Sequence, residues 1–163
     1  MPRPGFVLRP YRPSDFEALV AMDQACFPKA IAYGRREMKG YLRSEYSHCI
    51  VAEVSGTIAG FILMESDEEL GHVITLDVAQ AHRRQSVGSL LLKAAEKQVA
   101  SQGATRMYLE TATGNEPAIA LWKKHGYRET GTIENYYGRG QNAFEMQKRF
   151  ERKSPLSKGK TLP

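Results

Sequence analysis

"VITLDVAQAHRRQSVGSLLL", residues 73–92, decides how the rest of the chain is read. Val73–Val78 is a β-branched, strand-like run. From Val87 onward, Leu90, Leu91, Ala94 and Ala95 recur at the spacing of one wide apolar helix face. Between the two lie Arg83, Arg84, Gln85 and Ser86, and the helix itself opens with Val87, Gly88 and Ser89. A strand, a short turn and a helix start together make an anion site, because free backbone N–H groups and the positive dipole end point the same way. The small side chains of Ser86, Gly88 and Ser89 let a ligand come close. Two arginines at a helix N-terminus oppose the dipole and so call for an anion. Taken alone, the stretch also fits a basic helix start on the surface. It has a single glycine where phosphate loops generally carry more.

The sequence on either side sets the frame. "GFVLRPY" reads as a first strand, and "PSDFEALVAMDQACF" as a helix capped by Ser14 or Asp15. "PKAIAYG" breaks the pattern, and "RREMKGYLRSE" is a second, shorter helix. "HCIVAEV" and "TIAGFILMES" are strands joined by Ser55-Gly56, a tight hairpin signal. "HVITLDVA" is the fourth strand and "TRMYLETA" the fifth, with Gly103 ending the helix between them. "NEPAIALWKKHGY" is a fourth helix, capped by Asn115 and stopped by Gly126. "YRETGTIENYY" and "NAFEMQKRF" read as the final strands around "GRGQ". The expected order is β-α-α-β-β-β-α-β-α-β-β, an α/β mixed sheet with helices on its faces.

The chain has 163 residues and a formal net charge of +5. Residues 151–163, "ERKSPLSKGKTLP", hold +3 of that charge, which leaves residues 1–150 nearly balanced at +2. The expectation is one domain over 1–150 and a basic, disordered tail over 151–163. The balanced body argues against a nucleic-acid partner. No apolar run reaches membrane-spanning length and no secretory signal is apparent, so the expected location is cytoplasmic, with no membrane partner. Cys26 and Cys49 show no metal-ligand spacing, and neither a disulfide nor a metal is expected. Monomer and homodimer both stay open.

Three blocks carry a resemblance. The 73–92 stretch resembles the acetyl-CoA-binding segment of the GCN5-related N-acetyltransferase (GNAT) superfamily. The family pattern falls on Arg83, Ser86 and Gly88, with Ser86 where the family has its first glycine. "MYLETATGNEPAIALWKKHGY" is similar to the block that follows in that family, matching at Asn115, Ala118, Leu121-Trp122, Lys124 and Gly126-Tyr127. "ENYYGRGQNAFEM" is similar to the paired-tyrosine hairpin of enzymes that acetylate protein N-termini, including the ribosomal-protein alanine acetyltransferases. The match is specific from His72 to Met146 and loose before that.

The resemblance implies a GNAT fold with a splay between strands four and five, and acetyl-CoA as co-substrate. It places the cofactor on Leu76, Val78, Arg83, Arg84, Gln85, Ser86, Val87, Gly88, Ser89, Asn115, Trp122 and Lys124. It implies transfer of the acetyl group to a primary amine by direct attack in a ternary complex, the amine being that of a protein or peptide N-terminus. Glu110 matches the family's base; beside that role stands a salt-bridged strand glutamate. His72 joins it as a water relay or sits on the surface as an ordinary histidine. Trp122 occupies the position where many members carry the tyrosine that acts as general acid. Indole has no such proton to give, and Tyr136 or Tyr137 takes that part in its place. Tyr136 and Tyr137 match the peptide clamp. Phe27, Pro28, Ile31 and Tyr33 fall where the family builds its acceptor wall. If Ser86 keeps an ordinary helical φ, the loop survives the missing glycine; a positive φ there costs stability. The alternatives are a small-molecule amine acceptor and an acetyl-CoA-binding sensor with little catalysis.

Overall fold

The structure is a computed structural model and describes residues 5–151. The expected tail, 151–163, lies outside the described residues apart from Glu151. The strands are β1 (Val7–Pro10), β2 (Ser47–Val54), β3 (Thr57–Ser66), β4 (Leu70–Val78), β5 (Arg106–Ala112), β6 (Arg128–Ile133) and β7 (Ala143–Arg149). The helices are α1 (Phe16–Cys26), α2 (Arg35–Arg43), α3 (Val87–Ser101) and α4 (Glu116–Lys124). The element order matches the sequence reading. One seven-stranded sheet runs β1-β2-β3-β4-β5-β7-β6, and only its β4–β5 pair is parallel.

Apolar side chains cover both faces. Val87, Leu91, Leu92, Ala95 and Val99 of α3 pack with Trp122 of α4 on Met64, Val73, Met107, Leu109 and Met146 of the sheet. Leu19 and Val20 of α1 and Met38 of α2 pack on Val51, Phe61 and Leu63 across the other face. Each fully buried side chain of this kind contributes roughly 1.5–3 kcal/mol.

Gly60 of β3 marks a close approach between these layers. A Cβ there would stand 2.6 Å from the Asp77 carbonyl oxygen and 3.3 Å from Leu91 and Val87 side-chain carbons. Gly60→Ala is therefore expected to cost about 2 kcal/mol and lower Tm by roughly 6 °C, read by thermal unfolding.

Two local readings need correction. Neither Ser14 nor Asp15 caps α1 through its side chain. A 3₁₀ turn at Pro13–Asp15 comes first, and Asp15 accepts hydrogen bonds from the Arg12 N–H and from Arg9. The strand expected to run through Tyr137 stops at Ile133. Asn135 enters the left-handed region at φ 56°, and its side chain accepts from the Gly140 N–H at 2.7 Å. The Asn142 side chain accepts from the Asn135 N–H at 2.9 Å. Side-chain amides thus replace the ladder, and Tyr136 and Tyr137 sit in a closed loop. The Ser55-Gly56 hairpin forms as its spacing predicts, with φ of 50° and 78°.

The sheet opens between β4 and β5. Their parallel contact joins Leu70, Gly71 and His72 to Arg106, Met107 and Tyr108 and stops there. On its other edge, β4 holds a bulge against β3: Leu63 faces Thr75, Met64 faces Val73, and Ile74 is left over. The bulge resets the alternation. Val73 packs under α3, whereas Thr75 and Asp77 turn toward α1.

Candidate active site

A cavity of about 420 Å³ fills the gap between β4 and β5. Phe27, Pro28, Ile31 and Tyr33, from the segment between α1 and α2, wall one side of it. Glu110 of β5, Tyr137 of the β6–β7 loop and Trp122 of α4 face that wall. Strand alternation explains Glu110. Met107 and Leu109 point into the core under α3 and α4, so Tyr108 and Glu110 point the other way.

Glu110 Oε2 lies 2.6 Å from His72 Nε2, and the Glu110 side chain is only 13% exposed. With its proton on Nε2, His72 donates to this carboxylate. The imidazole stacks flat on Tyr108, with ring centroids 4.1 Å apart, which fixes its plane. His72 does not line the main cavity. It lies in an adjoining shallow groove with Tyr46, Glu65 and Tyr108. The two residues are therefore a bonded pair, with Glu110 in the cavity and His72 behind it.

The tyrosines are held protonated. Burial, then the neighbouring Glu110 charge, pushes Tyr136 up to about 12. Burial, with Tyr136 and Glu110 beside it, raises Tyr137 further. Tyr137 lines the cavity, whereas Tyr136 packs edge-on against it at 4.8 Å and stays 44% exposed. The Tyr33 hydroxyl donates to the carbonyl of Ile74, the bulged residue, at 3.3 Å.

A second groove of about 710 Å³ continues from the cavity along α3 and α4. Leu76, Val78, Arg83, Arg84, Ser86, Val87, Gly88, Ser89, Asn115, Trp122 and Lys124, all expected at the cofactor, line it. Gln85 does not, and its Oε1 is buried without a hydrogen-bond partner among the described residues. The first intrahelical bond of α3 runs from the Leu90 N–H to the Ser86 carbonyl. The N–H groups of Val87, Gly88 and Ser89 stand ahead of it, without helix partners. A Cβ on Gly88 would lie 3.3 Å from a Leu121 methyl carbon, so a larger residue at the helix start would press on Leu121. Asn115 caps α4, its Oδ1 accepting from the Ala118 N–H at 3.3 Å. Ser89 bonds His125 at 2.8 Å, joining the first turn of α3 to the end of α4.

Ser86 does not keep a helical φ. It sits at φ 67°, and Arg84 at 62°, so the turn demands the left-handed conformation that glycine adopts freely. Ser86→Gly is expected to stabilise the protein by about 1 kcal/mol and to leave acetyl-CoA affinity unchanged. Thermal unfolding and titration calorimetry would measure the two.

The profile of the acetyltransferase (GNAT) family matches residues 16–127. The chain belongs to this family. An N-alpha-acetyltransferase of Sulfurisphaera tokodaii is 28% identical over 152 residues, which cover 85% of this chain and 90% of that protein. The crystal structure of Ard1 from Thermoplasma volcanium superposes with a TM-score of 0.83 at 26% identity, over 90% of this chain and 99% of that one. An aminoglycoside 6'-N-acetyltransferase complexed with coenzyme A superposes at 0.75 with 19% identity, over 91% and 99% of the two chains, a likeness of fold alone.

This GNAT chain is an acetyl-CoA-dependent acetyltransferase that acts on an amine. Its groove fits the co-substrate: N–H groups at the start of α3, a small residue, Gly88, in the first turn, and Arg83, Arg84 and Lys124 in the lining. Among the described residues, no helix is long and apolar enough to cross a membrane.

Sequence reasoning missed Asp23, Thr75 and Asp77, which gather beneath the Phe27–Tyr33 wall. The signal was present. Asp77 interrupts an apolar strand, as Glu110 does.

Proposed function

We propose that the acceptor is the α-amine of a protein or peptide N-terminus, attacked directly in a ternary complex. One observation carries this reading. The Phe27–Tyr33 wall forms an apolar pocket that opposes Glu110, with the protonated Tyr137 at its side. A first side chain fits the pocket while its own α-amine faces the carboxylate. The names of the N-alpha-acetyltransferase relatives support the same acceptor.

Acetyl-CoA supplies the activated acetyl group as a thioester. Leu76 and Val78 would hold its arm, and the start of α3 with Arg83, Arg84 and Lys124 would hold its phosphates. Glu110 removes the proton from the attacking amine; His72 holds Glu110 in place and, in the tautomer protonated on Nδ1, accepts that proton at Nε2 and releases the one on Nδ1 to water. Tyr137 donates a hydrogen bond into the cleft and orients the acceptor. A thiol leaves readily as its anion, with a pKa of roughly 8.5. Trp122 at the usual acid position therefore does not stop the reaction.

A panel of short peptides with different first residues, read by thiol release, tests the acceptor. Release with one class of first residue is expected. Background release with every peptide, together with turnover of a polyamine or aminoglycoside, would replace the peptide reading with a small-amine one, which the same fold accommodates.

A further inference from the structure

Beneath the acceptor wall lie three buried polar side chains that take no part in the chemistry above. Asp23 of α1 is 0% exposed, and Asp77 and Thr75 of β4 are 1% and 6% exposed. The Tyr33 N–H donates to Asp23 Oδ2 at 2.7 Å, so Asp23 anchors the backbone of the wall. Thr75 Oγ1 lies 2.6 Å from Asp77 Oδ1 and 3.3 Å from Asp23 Oδ1. Asp77 Oδ2 is buried and receives no donor among the described residues, and the Thr75 hydroxyl lies between the two Oδ1 atoms. Neither carboxylate has a proton to give when ionised. Two bare charges in contact at this burial would also pay desolvation and repulsion together. A proton on the pair removes both costs, and the Asp77 oxygen without a donor is the atom with room for it.

We propose that Asp77 is a positioning residue for acetyl transfer: its carboxyl proton ties β4 to Asp23, and Asp23 holds the Tyr33 amide that sets the acceptor wall across from Glu110. The inference rests on the Phe27–Tyr33 segment being the acceptor wall. Asp23 and Thr75 border the same cavity as that segment, whereas Asp77 stands behind them as the link to the sheet.

The arrangement is sensitive to rising pH. Burial, and then the Asp23 partner, holds the Asp77 carboxyl well above the usual carboxylate range, opposed by the Thr75 hydroxyl. The titratable groups facing the pair are Cys26 on α1, Cys49 on β2 and Tyr33 in the wall. Burial raises all three, Cys49 to about 12, so none adds charge near neutrality. Arg83 stands beyond Cys26, and the Arg9–Asp15 ion pair beyond Cys49. The folded state keeps the Asp77 proton longer than the unfolded chain does. Its stabilising effect is thus complete in and below the ordinary carboxyl range and is lost as pH rises through the raised pKa. Above that point a second charge pushes Asp23 and β4 apart, and the Tyr33 anchor loosens.

The test compares wild type with Asp77→Asn and Asp77→Leu. Asparagine carries a permanent N–H donor in the place of the proton, and leucine carries none. Kinetics are taken from neutral to alkaline pH with whichever amine the enzyme turns over best. Each variant is expressed as a ratio to wild type at the same pH, so that the amine's own titration cancels. Asp77→Leu is expected to raise the acceptor KM about tenfold near neutrality, with acetyl-CoA KM within about twofold. Asp77→Asn is expected to match wild type while Asp77 keeps its proton and to outperform it as pH rises through the raised pKa. Protection of the Tyr33 amide from hydrogen exchange, measured without any acceptor, should fall with rising pH in wild type and stay level in Asp77→Asn. An unchanged acceptor KM in Asp77→Leu, or an alkaline loss of Tyr33 protection that persists in Asp77→Asn, overturns the inference. If Tyr33 protection behaves as expected but KM for every amine is indifferent to Asp77, the pair is present and the wall is not the acceptor's; that result removes the acceptor reading and the positioning role together.

Discussion

Glu110→Gln is expected to lower kcat about 100- to 1,000-fold, within the usual range for removing a positioned general base. Glutamine keeps the size of the side chain and can still bond His72, yet it accepts no proton from an amine. The cost should therefore fall on turnover. Acetyl-CoA affinity should stay within about twofold, because the groove along α3 that is proposed to hold its phosphates does not include Glu110. Stability should change little, since Glu110 makes one side-chain bond, to His72. Stopped-flow thiol release in a single turnover, with calorimetry for the cofactor, measures both parts. A Glu110→Gln enzyme that transfers acetyl at the wild-type rate would remove Glu110 from the chemistry and leave it a salt-bridged strand residue.

Trp122→Ala is expected to destabilise the fold by about 3–5 kcal/mol, the usual cost of emptying a large aromatic site. Trp122 is 6% exposed and packs edge-on against Tyr127 at 6.0 Å. It also lines both the cleft and the cofactor groove, so its loss merges the two spaces. Trp122→Phe should cost much less. The indole Nε1 is buried with no hydrogen-bond partner among the described residues, so no bond is lost with it. Thermal unfolding of the pair separates volume from polarity, and an alanine variant with wild-type Tm would show that the site collapses onto the gap.

Much of this was legible in the sequence because it depends on local pattern. The apolar spacing from Val87 to Ala95, the Ser55-Gly56 hairpin and the Asn115 cap are set within a few residues. Glu110 stood out as a carboxylate on a strand whose neighbours Leu109 and Met107 are core. What escaped the sequence depends on distant partners. The bulge at Ile74 exists only in register with Leu63 and Met64. Asp77 makes sense only once Asp23, 54 positions away, lies beside it. The end of β6 was misread because tyrosines favour strands, whereas Asn135 and Asn142 close that loop by side-chain bonds. Ser86 kept a left-handed turn that its residue type argues against, since the loop geometry overrode the local preference.

The short parallel contact between β4 and β5 has a mechanical consequence. α3 packs on β2, β3 and β4, while β5 pairs across to β7 and through it to β6. Within the sheet the two halves meet at one short seam, a ladder from Leu70–His72 to Arg106–Tyr108, with the cavity at its open end, while α3 spans both halves through Met107, Leu109 and its Glu96–Lys148 ion pair. His72 and Tyr108 form the last rung of that seam, and His72 also grips Glu110. Glu110 and its His72 partner thus sit where the two halves of the sheet are still laced together, one step before they part.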